Sequence, residues 1–316
     1  MKIAVLDADT LGRDLDLSPL STLGDVRIFA GTRPEQVAAH IADADVAVVN
    51  KVRMNETTLT GAENLRLICV AATGYDNIDL AFCRARGIAV CNVAGYSTDS
   101  VAEVTVAMAL SLVTHLPAFC RHVESGDYTR GGVANCLVPA YRELRGKTWG
   151  IAGYGNIGRA VGRVAEAFGC RLLVFRRHPA PDEPAVDLDT LCRESDILSV
   201  HLPLTADTRN LFDAAAVAKL KPGAVFINAA RGAVVDEKAL ADAVLKGRLG
   251  GLGADVYTVE PLPETHPFYA IRECDNVCLT PHMAWGAVEA RERCLFEIME
   301  NIRAFTAGRT RSRVDL

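Results

Sequence analysis

Short apolar runs alternate with amphipathic or polar segments along most of the chain. The runs at 1–7, 46–50, 67–71 and 88–91 have the length and composition of buried strands, and residues 34–41 have a helical pattern. Strands that alternate with helices form parallel sheets with helices on both faces. The first ~95 residues are therefore predicted to form one α/β unit, and they contain no phosphate-binding loop.

The stretch 150–177 predicts a strand, a glycine turn, a helix and a second strand. Gly153, Gly155 and Gly158 occupy the glycine positions of a G-x-G-x-x-G motif. The first glycine allows a tight turn, the second lets a pyrophosphate approach the backbone, and the third lets the helix pack close to the strand. The helix N-terminus offers N–H groups to the phosphates. We therefore predict a dinucleotide site; a glycine-rich turn that binds no ligand is the alternative.

The rest of the pattern extends the unit that contains the glycine motif and indicates how that unit connects to the first ~95 residues. Further strands are predicted at 197–201, 225–228, 252–256 and 277–280. A long helix at 98–116 is apolar on most of its circumference, so we expect it to be buried and to link two domains. Residues 121–135 are predicted to be rich in loops, and a last helix at 287–307 could return to the first domain.

These elements predict the α/β fold class, with two Rossmann-like, doubly wound parallel-sheet domains and an active-site cleft between them. We expect a discontinuous substrate (catalytic) domain at 1–97 plus 284–316. The dinucleotide-binding Rossmann domain is expected at 98–283.

The end of the second strand of the glycine unit suggests which cofactor binds. NAD sites usually carry an Asp or Glu about 20 residues after the glycine motif, where it accepts hydrogen bonds from the ribose. This chain has Arg176 there, followed by Arg177. A guanidinium pairs with a 2′-phosphate in a bidentate manner. We therefore predict that NADP(H) is preferred and that NAD(H) is possible; a solvated basic turn is the alternative.

Composition excludes several other classes of protein. The chain is 50% hydrophobic and 23% charged, as expected for a globular protein, and its formal net charge of −5 argues against nucleic acid as a partner. No apolar stretch reaches the ~20 residues that span a bilayer, and no signal peptide is evident, so we expect a cytoplasmic protein. The ten cysteines lack metal-site spacing. Cys69, Cys91 and Cys170 lie in or beside apolar runs, as buried thiols do in a reducing cytosol.

Three residues that follow later strands have the chemistry of a carbonyl reductase. Arg231, Glu260 and His282 each come soon after a predicted strand, and ligands bind outside the carboxyl ends of strands in open α/β sheets. A histidine can deliver a proton near neutral pH, and a neighbouring carboxylate can orient it. An arginine can hold a 2-oxo acid and polarise its carbonyl. The alternatives are a surface arginine, a solvated carboxylate and a structural histidine.

Several longer motifs resemble those of the D-isomer-specific 2-hydroxyacid dehydrogenase family, and the resemblance covers nearly the whole chain. Besides the glycine loop, they are ATGYDNID at 72–79, YSTDSVAE at 96–103, HLPLT at 201–205, NAARG at 228–232, DVY at 255–257, EP at 260–261 and PH at 281–282. NKV at 50–52 and HMAW at 282–285 resemble the glycerate dehydrogenase and hydroxypyruvate/glyoxylate reductase branch.

The resemblance implies roles for individual residues. Arg231 binds and polarises the substrate, His282 is the general acid/base, and Glu260 is its partner. The backbone of Thr73 and Gly74 takes the substrate carboxylate. Lys51 and Trp285 are further substrate candidates; the alternatives are a surface lysine and a tryptophan that packs at a domain interface. Asp255 is expected to contact the nicotinamide carboxamide. The expected cofactor contacts are Gly153, Tyr154, Gly155, Asn156, Ile157, Gly158, Arg176, Arg177, His201, Pro203, Thr208, Ala229, Arg231, Asp255, His282 and Thr105.

The expected activity is reduction of a small 2-oxo acid, glyoxylate or hydroxypyruvate, to the D-2-hydroxy acid. One alternative is an NAD-dependent D-lactate or other D-2-hydroxyacid dehydrogenase, because one methylene changes substrate discrimination by only ~1–3 kcal/mol. Another is a nucleotide sensor of the corepressor kind without enzymatic activity, which has no need of an acid/base pair. A homodimer formed through the apolar helix at 98–116 is also expected. We expect no resident metal and no nucleic-acid or membrane partner.

Overall fold

The computed structural model describes residues 1–316, which divide into two compact units. The first unit contains Met1–Ser97 and Trp285–Leu316, and the second contains Thr98–Ala284. Each unit has one sheet whose strands are all parallel, with five strands in the first and six in the second. The predicted α/β class with two parallel-sheet domains is confirmed.

The chain forms eleven strands and ten α-helices. The strands are β1 Lys2–Val5, β2 Asp25–Ile28, β3 Val46–Val49, β4 Leu67–Val70, β5 Ala89–Cys91, β6 Thr148–Ala152, β7 Arg171–Phe175, β8 Ile197–Val200, β9 Val225–Asn228, β10 Gly251–Ala254 and β11 Val277–Leu279. The α-helices are α1 Val37–Ile41, α2 Leu80–Ala85, α3 Thr98–Thr114, α4 Leu116–Glu124, α5 Asp127–Gly131, α6 Asn156–Ala167, α7 Leu188–Glu194, α8 Ala214–Lys219, α9 Glu237–Leu245 and α10 Val288–Thr306.

The sheet of the first unit has the strand order β2-β1-β3-β4-β5. Its three central strands are almost fully buried because apolar side chains cover both faces. The helix α10, from the far end of the chain, packs on this sheet through residues such as Cys294, Ile298 and Ile302. The C-terminal residues therefore belong to the same unit as the N-terminal strands.

The sheet of the second unit has the order β11-β10-β9-β8-β6-β7. The chain moves outward from β6 to β7 and then returns to the other side of β6 to form β8. This reversal makes the boundary between β6 and β8 a topological switch point, where the loops after both strands diverge and leave a crevice. The glycine motif follows β6, so it lies at this switch point.

The long apolar helix α3 lies wholly in the second unit, and its apolar side chains pack there. A Cβ at Gly251 would lie 3.0 Å from the Leu112 Cβ, and one at Gly253 would lie 3.2 Å from the Met108 Sδ. Glycine at these two positions of β10 therefore lets the helix approach the sheet closely. Packing within the unit explains the apolarity of the helix, so its apolarity no longer supports its use as a linker or a dimer interface.

Some local predictions were wrong. The helix predicted at 98–116 ends at Thr114, and His115 has a left-handed φ of 53° before α4 begins with Pro117 in its first turn. The segment 121–135, predicted as loop-rich, contains the end of α4 and all of α5. The sequence pattern also missed β2, a partly exposed strand at the edge of its sheet, and the short helix α2.

No single helix is both long and apolar enough to cross a membrane; α3 and α4 meet the criterion only as a pair, bent by 65°. All ten cysteines are free thiols. Cys69, Cys91 and Cys170 are buried as expected, and burial raises the pKa of Cys91 to about 11.

Candidate active site

Three adjacent strands of the second unit end next to the three candidate catalytic residues. Arg231 follows β9, Glu260 follows β10, and His282 follows β11. Parallel strands place their carboxyl ends at the same edge of a sheet, so the three loops leave from neighbouring positions. The sheet order thus brings together residues that lie up to 51 positions apart in the sequence.

Glu260 and His282 are in direct contact. The Glu260 Oε2 lies 2.7 Å from the His282 Nδ1, and the exposed fractions of the two side chains are 31% and 19%. The other carboxylate oxygen, Oε1, accepts a hydrogen bond from the Tyr257 N–H at 3.0 Å. A carboxylate at Nδ1 favours the tautomer with hydrogen on that nitrogen, which directs the ring's chemistry to Nε2.

The loop that carries His282 is held by Asp255, which is 1% exposed. Asp255 Oδ1 accepts hydrogen bonds from the Thr280 hydroxyl at 2.6 Å and the Met283 N–H at 2.8 Å. Its Oδ2 accepts from the Ala284 N–H at 2.9 Å. His282 itself has a φ of 53°, a left-handed conformation that is uncommon for residues other than glycine. Asp255 therefore holds the loop on both sides of an unfavourable backbone conformation.

The loop that carries Arg231 is fixed by Asn228 and Gly232. The Asn228 side chain donates to the Arg231 carbonyl at 3.0 Å and accepts from the Ala230 N–H at 3.1 Å. A Cβ at Gly232 would overlap the Tyr257 carbonyl carbon and the Thr258 nitrogen. Glycine is therefore required where the loop after β9 approaches the Tyr257–Thr258 peptide, which is part of the loop after β10.

The glycine loop has the geometry that its sequence predicts. Gly153 has a φ of 95°, and a Cβ there would lie 2.6 Å from the His201 carbonyl oxygen. A Cβ at Gly158 would overlap the Gly153 carbonyl oxygen, so the start of α6 packs tightly on the turn. By contrast, a Cβ at Gly155 would meet no atom within 4 Å, and no side chain caps α6. The open space and the uncapped helix start fit a dinucleotide pyrophosphate.

His201, at the end of β8, lies on the other side of the switch point. Its Nε2 is 3.1 Å from the Ser199 hydroxyl oxygen, which also accepts from the Trp149 indole N–H at 3.0 Å. The His201 Nδ1 is buried and has no hydrogen-bond partner within the protein. Burial lowers the pKa of His201 to about 4, so the ring is neutral at physiological pH. An unpartnered polar atom beside the glycine loop is consistent with a ligand at this position.

Arg176 is bonded to Glu183, whose side chain is 5% exposed. Its Nη1 lies 2.9 Å and 3.2 Å from the two carboxylate oxygens. Arg159, in the first turn of α6, donates to the Glu183 Oε1 at 2.6 Å. Arg177 pairs instead with Asp207. Two arginines, one just after β7 and one in α6, therefore share one carboxylate, with a net charge of +1 for the three groups.

The remaining cofactor candidates lie on the same unit, and nothing in the structure tests their roles. Thr105 is fully buried in α3, where its hydroxyl donates to the Val101 carbonyl at 2.8 Å. The Thr208 hydroxyl donates to the Pro203 carbonyl at 2.6 Å and thus closes the loop after His201. The others lie at the glycine loop and at the end of β9: Tyr154, Asn156, Ile157 and Ala229.

The predicted substrate residues Lys51, Thr73, Gly74 and Trp285 belong to the first unit. The buried Asp7 carboxylate accepts hydrogen bonds from the backbone N–H groups of residues 50–52, including that of Lys51 at 2.6 Å, and burial raises its pKa. Thr73 and Gly74 follow β4, and the Thr73 hydroxyl donates to a carbonyl at 2.9 Å. The Trp285 ring packs edge-on against Tyr96, with 6.2 Å between centroids.

Sequence reasoning missed four residues that support the site: Glu183, Arg159, Glu237 and His266. Glu183 and Arg159 are far apart in the sequence and meet only through the fold. Glu237 accepts from the Thr258 N–H at 2.8 Å and contacts His266 Nε2 at 2.8 Å, with both side chains buried. In the sequence, Glu237 is typical of an acidic residue in the first turn of a helix, so its pattern gave no signal of this contact.

Comparison with known proteins identifies the family. Residues 106–284 match the model of the D-isomer specific 2-hydroxyacid dehydrogenase, NAD binding domain. The chain is 34% identical to the glycerate dehydrogenase of Methylorubrum extorquens, over 99% of both chains. It is 32% identical to the hydroxypyruvate reductase of Blautia hydrogenotrophica, over 98% of both chains. An acyclic imino acid reductase solved with NADPH and D-Arg has a TM-score of 0.87 and 28% identity, over 99% of this chain and 100% of the other.

The chain is thus an oxidoreductase of the dinucleotide-binding α/β class. It belongs to the D-isomer-specific 2-hydroxyacid dehydrogenase family. The resemblance seen in the sequence motifs, including the glycerate dehydrogenase and hydroxypyruvate reductase branch, is confirmed.

The hydrogen bonds of Asp255 lead to a prediction about the His282 loop. In Asp255→Asn, an amide N–H₂ replaces one acceptor and faces a backbone N–H, which leaves a buried donor unpaired at a cost of about 1–3 kcal/mol. Hydrogen exchange of the segment 280–284 should become faster, with no change in β1–β5. The matched control is Asp207→Asn, an exposed carboxylate of the same unit. Unchanged exchange at 280–284 would show that Asp255 does not hold the loop.

Proposed function

We propose that this enzyme reduces a small 2-oxo acid, glyoxylate or hydroxypyruvate, to the D-2-hydroxy acid. The observation that carries the proposal is the 2.7 Å contact between Glu260 and His282, on loops adjacent to that of Arg231. An oriented histidine next to a cation is what reduction of a carbonyl beside a carboxylate requires. The named activities of the two relatives, glycerate dehydrogenase and hydroxypyruvate reductase, support the substrate class.

In the proposed mechanism, His282 delivers a proton from Nε2 to the carbonyl oxygen of the substrate. Glu260 keeps the Nδ1 hydrogen in place and balances the charge of the protonated ring. When bound, the reduced nicotinamide cofactor supplies the hydride that reaches the carbonyl carbon. The glycine loop and the start of α6 would hold its pyrophosphate. In the reverse direction, His282 accepts the proton of the hydroxyl group.

Arg231 is proposed to bind the substrate carboxylate and to polarise the carbonyl that is reduced. A guanidinium keeps its charge at any working pH and can make two parallel hydrogen bonds to a carboxylate. Thr73 and Gly74 are proposed to offer backbone N–H groups to the same carboxylate, and Lys51 and Trp285 to contact the rest of the substrate. Asp255 remains a proposed contact of the nicotinamide carboxamide, in addition to its bonds within the loop.

Two other functions remain as alternatives. An NAD-dependent D-lactate dehydrogenase would use the same residues with a different pocket shape. A nucleotide-sensing corepressor-like protein would bind cofactor without turnover, but it would not require the oriented pair of Glu260 and His282. We therefore favour the reductase. We also propose that it acts in the cytoplasm.

The preference for NADP(H) is part of the proposal, with NAD(H) as a possible cofactor. Arg176 and Arg159 share the Glu183 carboxylate, and each guanidinium has five N–H donors, so donors remain for a 2′-phosphate. Glu183 opposes a phosphate by its charge but also fixes the direction of both arginines. The net charge of +1 at this position favours the phosphate. The acyclic imino acid reductase that this chain resembles was solved with NADPH.

The protein is also proposed to be a homodimer. Because α3 is packed within its own unit, the interface is more consistent with the following segment, which contains six strongly exposed apolar side chains. These are Leu116, Val123, Val133, Leu137, Val138 and Tyr141, from 57% to 79% exposed. Clustered exposed apolar residues mark protein–protein contacts.

The catalytic assignments predict distinct kinetic effects. His282→Ala should lower kcat about 10²–10⁴-fold with cofactor affinity largely spared, because it removes the proton donor while most of the expected cofactor contacts remain. Arg231→Ala should lower kcat and also raise KM, because it removes substrate binding and polarisation together. Steady-state kinetics and titration of cofactor fluorescence measure these effects. Full activity in either variant would refute the role of that residue.

The cofactor assignment predicts an effect on affinity that does not depend on turnover. Arg176→Ala should weaken binding of NADPH and of 2′,5′-ADP by about 10- to 150-fold, since a charged hydrogen bond contributes ~1.5–3 kcal/mol, and should change NADH binding little. Calorimetry measures the affinities of all three ligands. Arg193→Ala, an exposed arginine on α7, is the control. An unchanged ratio of NADPH to NADH affinity would contradict the phosphate contact.

The assembly proposal predicts a solution mass of twice the 33.9 kDa of the chain. Replacing Leu137 and Val138 with Glu should shift the mass toward that of a single chain, because buried carboxylates oppose association. Light scattering at micromolar concentration measures the solution masses of the unaltered protein and of this variant. A single-chain mass for the unaltered protein would contradict the proposal.

A further inference from the structure

The loop between β10 and Glu260 is held by two carboxylates on consecutive backbone groups. The Tyr257 N–H donates to Glu260, and the Thr258 N–H donates to the Oε1 of Glu237 at 2.8 Å. Gly232 approaches the same peptide so closely that a Cβ there would overlap it. The Tyr257–Thr258 peptide is therefore fixed by a hydrogen bond to the start of α9 and by packing against the loop after β9, and the adjacent Tyr257 N–H holds Glu260.

Glu237 does not serve as the cap of its own helix. Asp236 is the N-cap of α9, and its side chain accepts from the Ala239 N–H at 2.9 Å. The Glu237 carboxylate is instead turned toward the loop after β10, and the residue is 8% exposed. Burying a carboxylate costs free energy. The favourable interaction with the helix N-terminus does not explain this burial, because an exposed acidic residue at the same position would make the same interaction.

His266 completes the arrangement. Its Nδ1 accepts from the Phe268 N–H at 3.1 Å, so the hydrogen lies on Nε2, which donates to the Glu237 Oε2 at 2.8 Å. The ring also packs edge-on against Tyr257, with 5.7 Å between centroids, and against Phe268, with 5.3 Å. Both oxygens of Glu237 are therefore satisfied, and the direction of the carboxylate is determined by a ring that is itself fixed.

We propose that Glu237 and His266 are positioning residues that set the place of Glu260 and, through it, the orientation of His282. The Glu237 carboxylate accepts a hydrogen bond from the Thr258 N–H, the neighbouring Tyr257 N–H donates to Glu260, and Glu260 contacts the His282 ring. The pair is proposed to touch neither substrate nor cofactor. The inference rests on the proposed roles of Glu260 and His282 in 2-oxo acid reduction.

The test combines a spectroscopic measurement with kinetics. A hydrogen bond between Nδ1–H and a carboxylate at 2.7 Å gives a proton resonance far downfield in the NMR spectrum, assigned to His282 by its loss in His282→Ala. Glu237→Ala should shift or broaden this resonance and lower kcat about tenfold, with KM and cofactor affinity changed less than about twofold. His266→Phe keeps the aromatic packing but removes the bond to Glu237, so a smaller effect of the same kind is expected.

A double-mutant cycle shows whether the pair acts through Glu260. In a Glu260→Gln background, Glu237→Ala should lower kcat by less than about twofold, because the contact that it positions has already been altered. Glu264→Gln, an exposed carboxylate on the same loop, is the matched control and should leave kcat and the resonance unchanged. If Glu237→Ala does not fold, His266→Phe provides the same cycle.

The outcomes separate this proposal from the proposed function. If the variants lose thermal stability while the resonance and kcat stay at the wild-type values, the pair is only structural and the inference is wrong. Full additivity with Glu260→Gln would also overturn it. If the unaltered enzyme reduces no 2-oxo acid, the proposed function fails, but the effect of Glu237→Ala on the resonance still decides whether the pair positions His282.

Discussion

The contact between Glu260 Oε2 and His282 Nδ1 is the interaction on which the proposed chemistry depends. It joins two loops that follow neighbouring strands. It places the ring hydrogen on Nδ1 and leaves Nε2 for the proposed proton transfer. Neither residue is held by its own strand alone. Asp255 fixes the backbone around His282, and the Tyr257 N–H fixes Glu260. The 2.7 Å contact between Glu260 and His282 therefore depends on several backbone hydrogen bonds that take no part in the proposed proton transfer.

The same sheet provides the second requirement, a place for the cofactor. The glycine loop and His201 lie on either side of the switch point between β6 and β8, while the loops of Arg231, Glu260 and His282 follow β9, β10 and β11. Close backbone approach at Gly153 and Gly158 fixes the turn, and the open space at Gly155 leaves room for a ligand. One parallel sheet thus directs both functions to the carboxyl ends of its strands.

Local patterns in the sequence were enough to predict ten of the eleven strands and the glycine loop, and to select the three catalytic candidates. They were not enough for contacts that depend on the fold. The apolar pattern of α3 did not reveal that it packs on glycines of β10, and Arg176 did not reveal its pairing with Glu183. Glu237 and His266 are separated by 29 residues, and each has an ordinary local explanation. Edge strand β2 was missed because a partly exposed strand of four residues has little periodicity to detect.

The most direct test of the proposed reaction is the initial rate of NADPH and NADH oxidation with glyoxylate, hydroxypyruvate, pyruvate and phenylpyruvate, measured side by side. We expect rapid turnover of glyoxylate or hydroxypyruvate, with NADPH used in preference to NADH. Turnover with NADH alone would contradict the role of Arg176. Tight NADPH binding without oxidation by any of the four acids would contradict 2-oxo acid reduction as the function, because Glu260 and His282 would then have no proton transfer to perform.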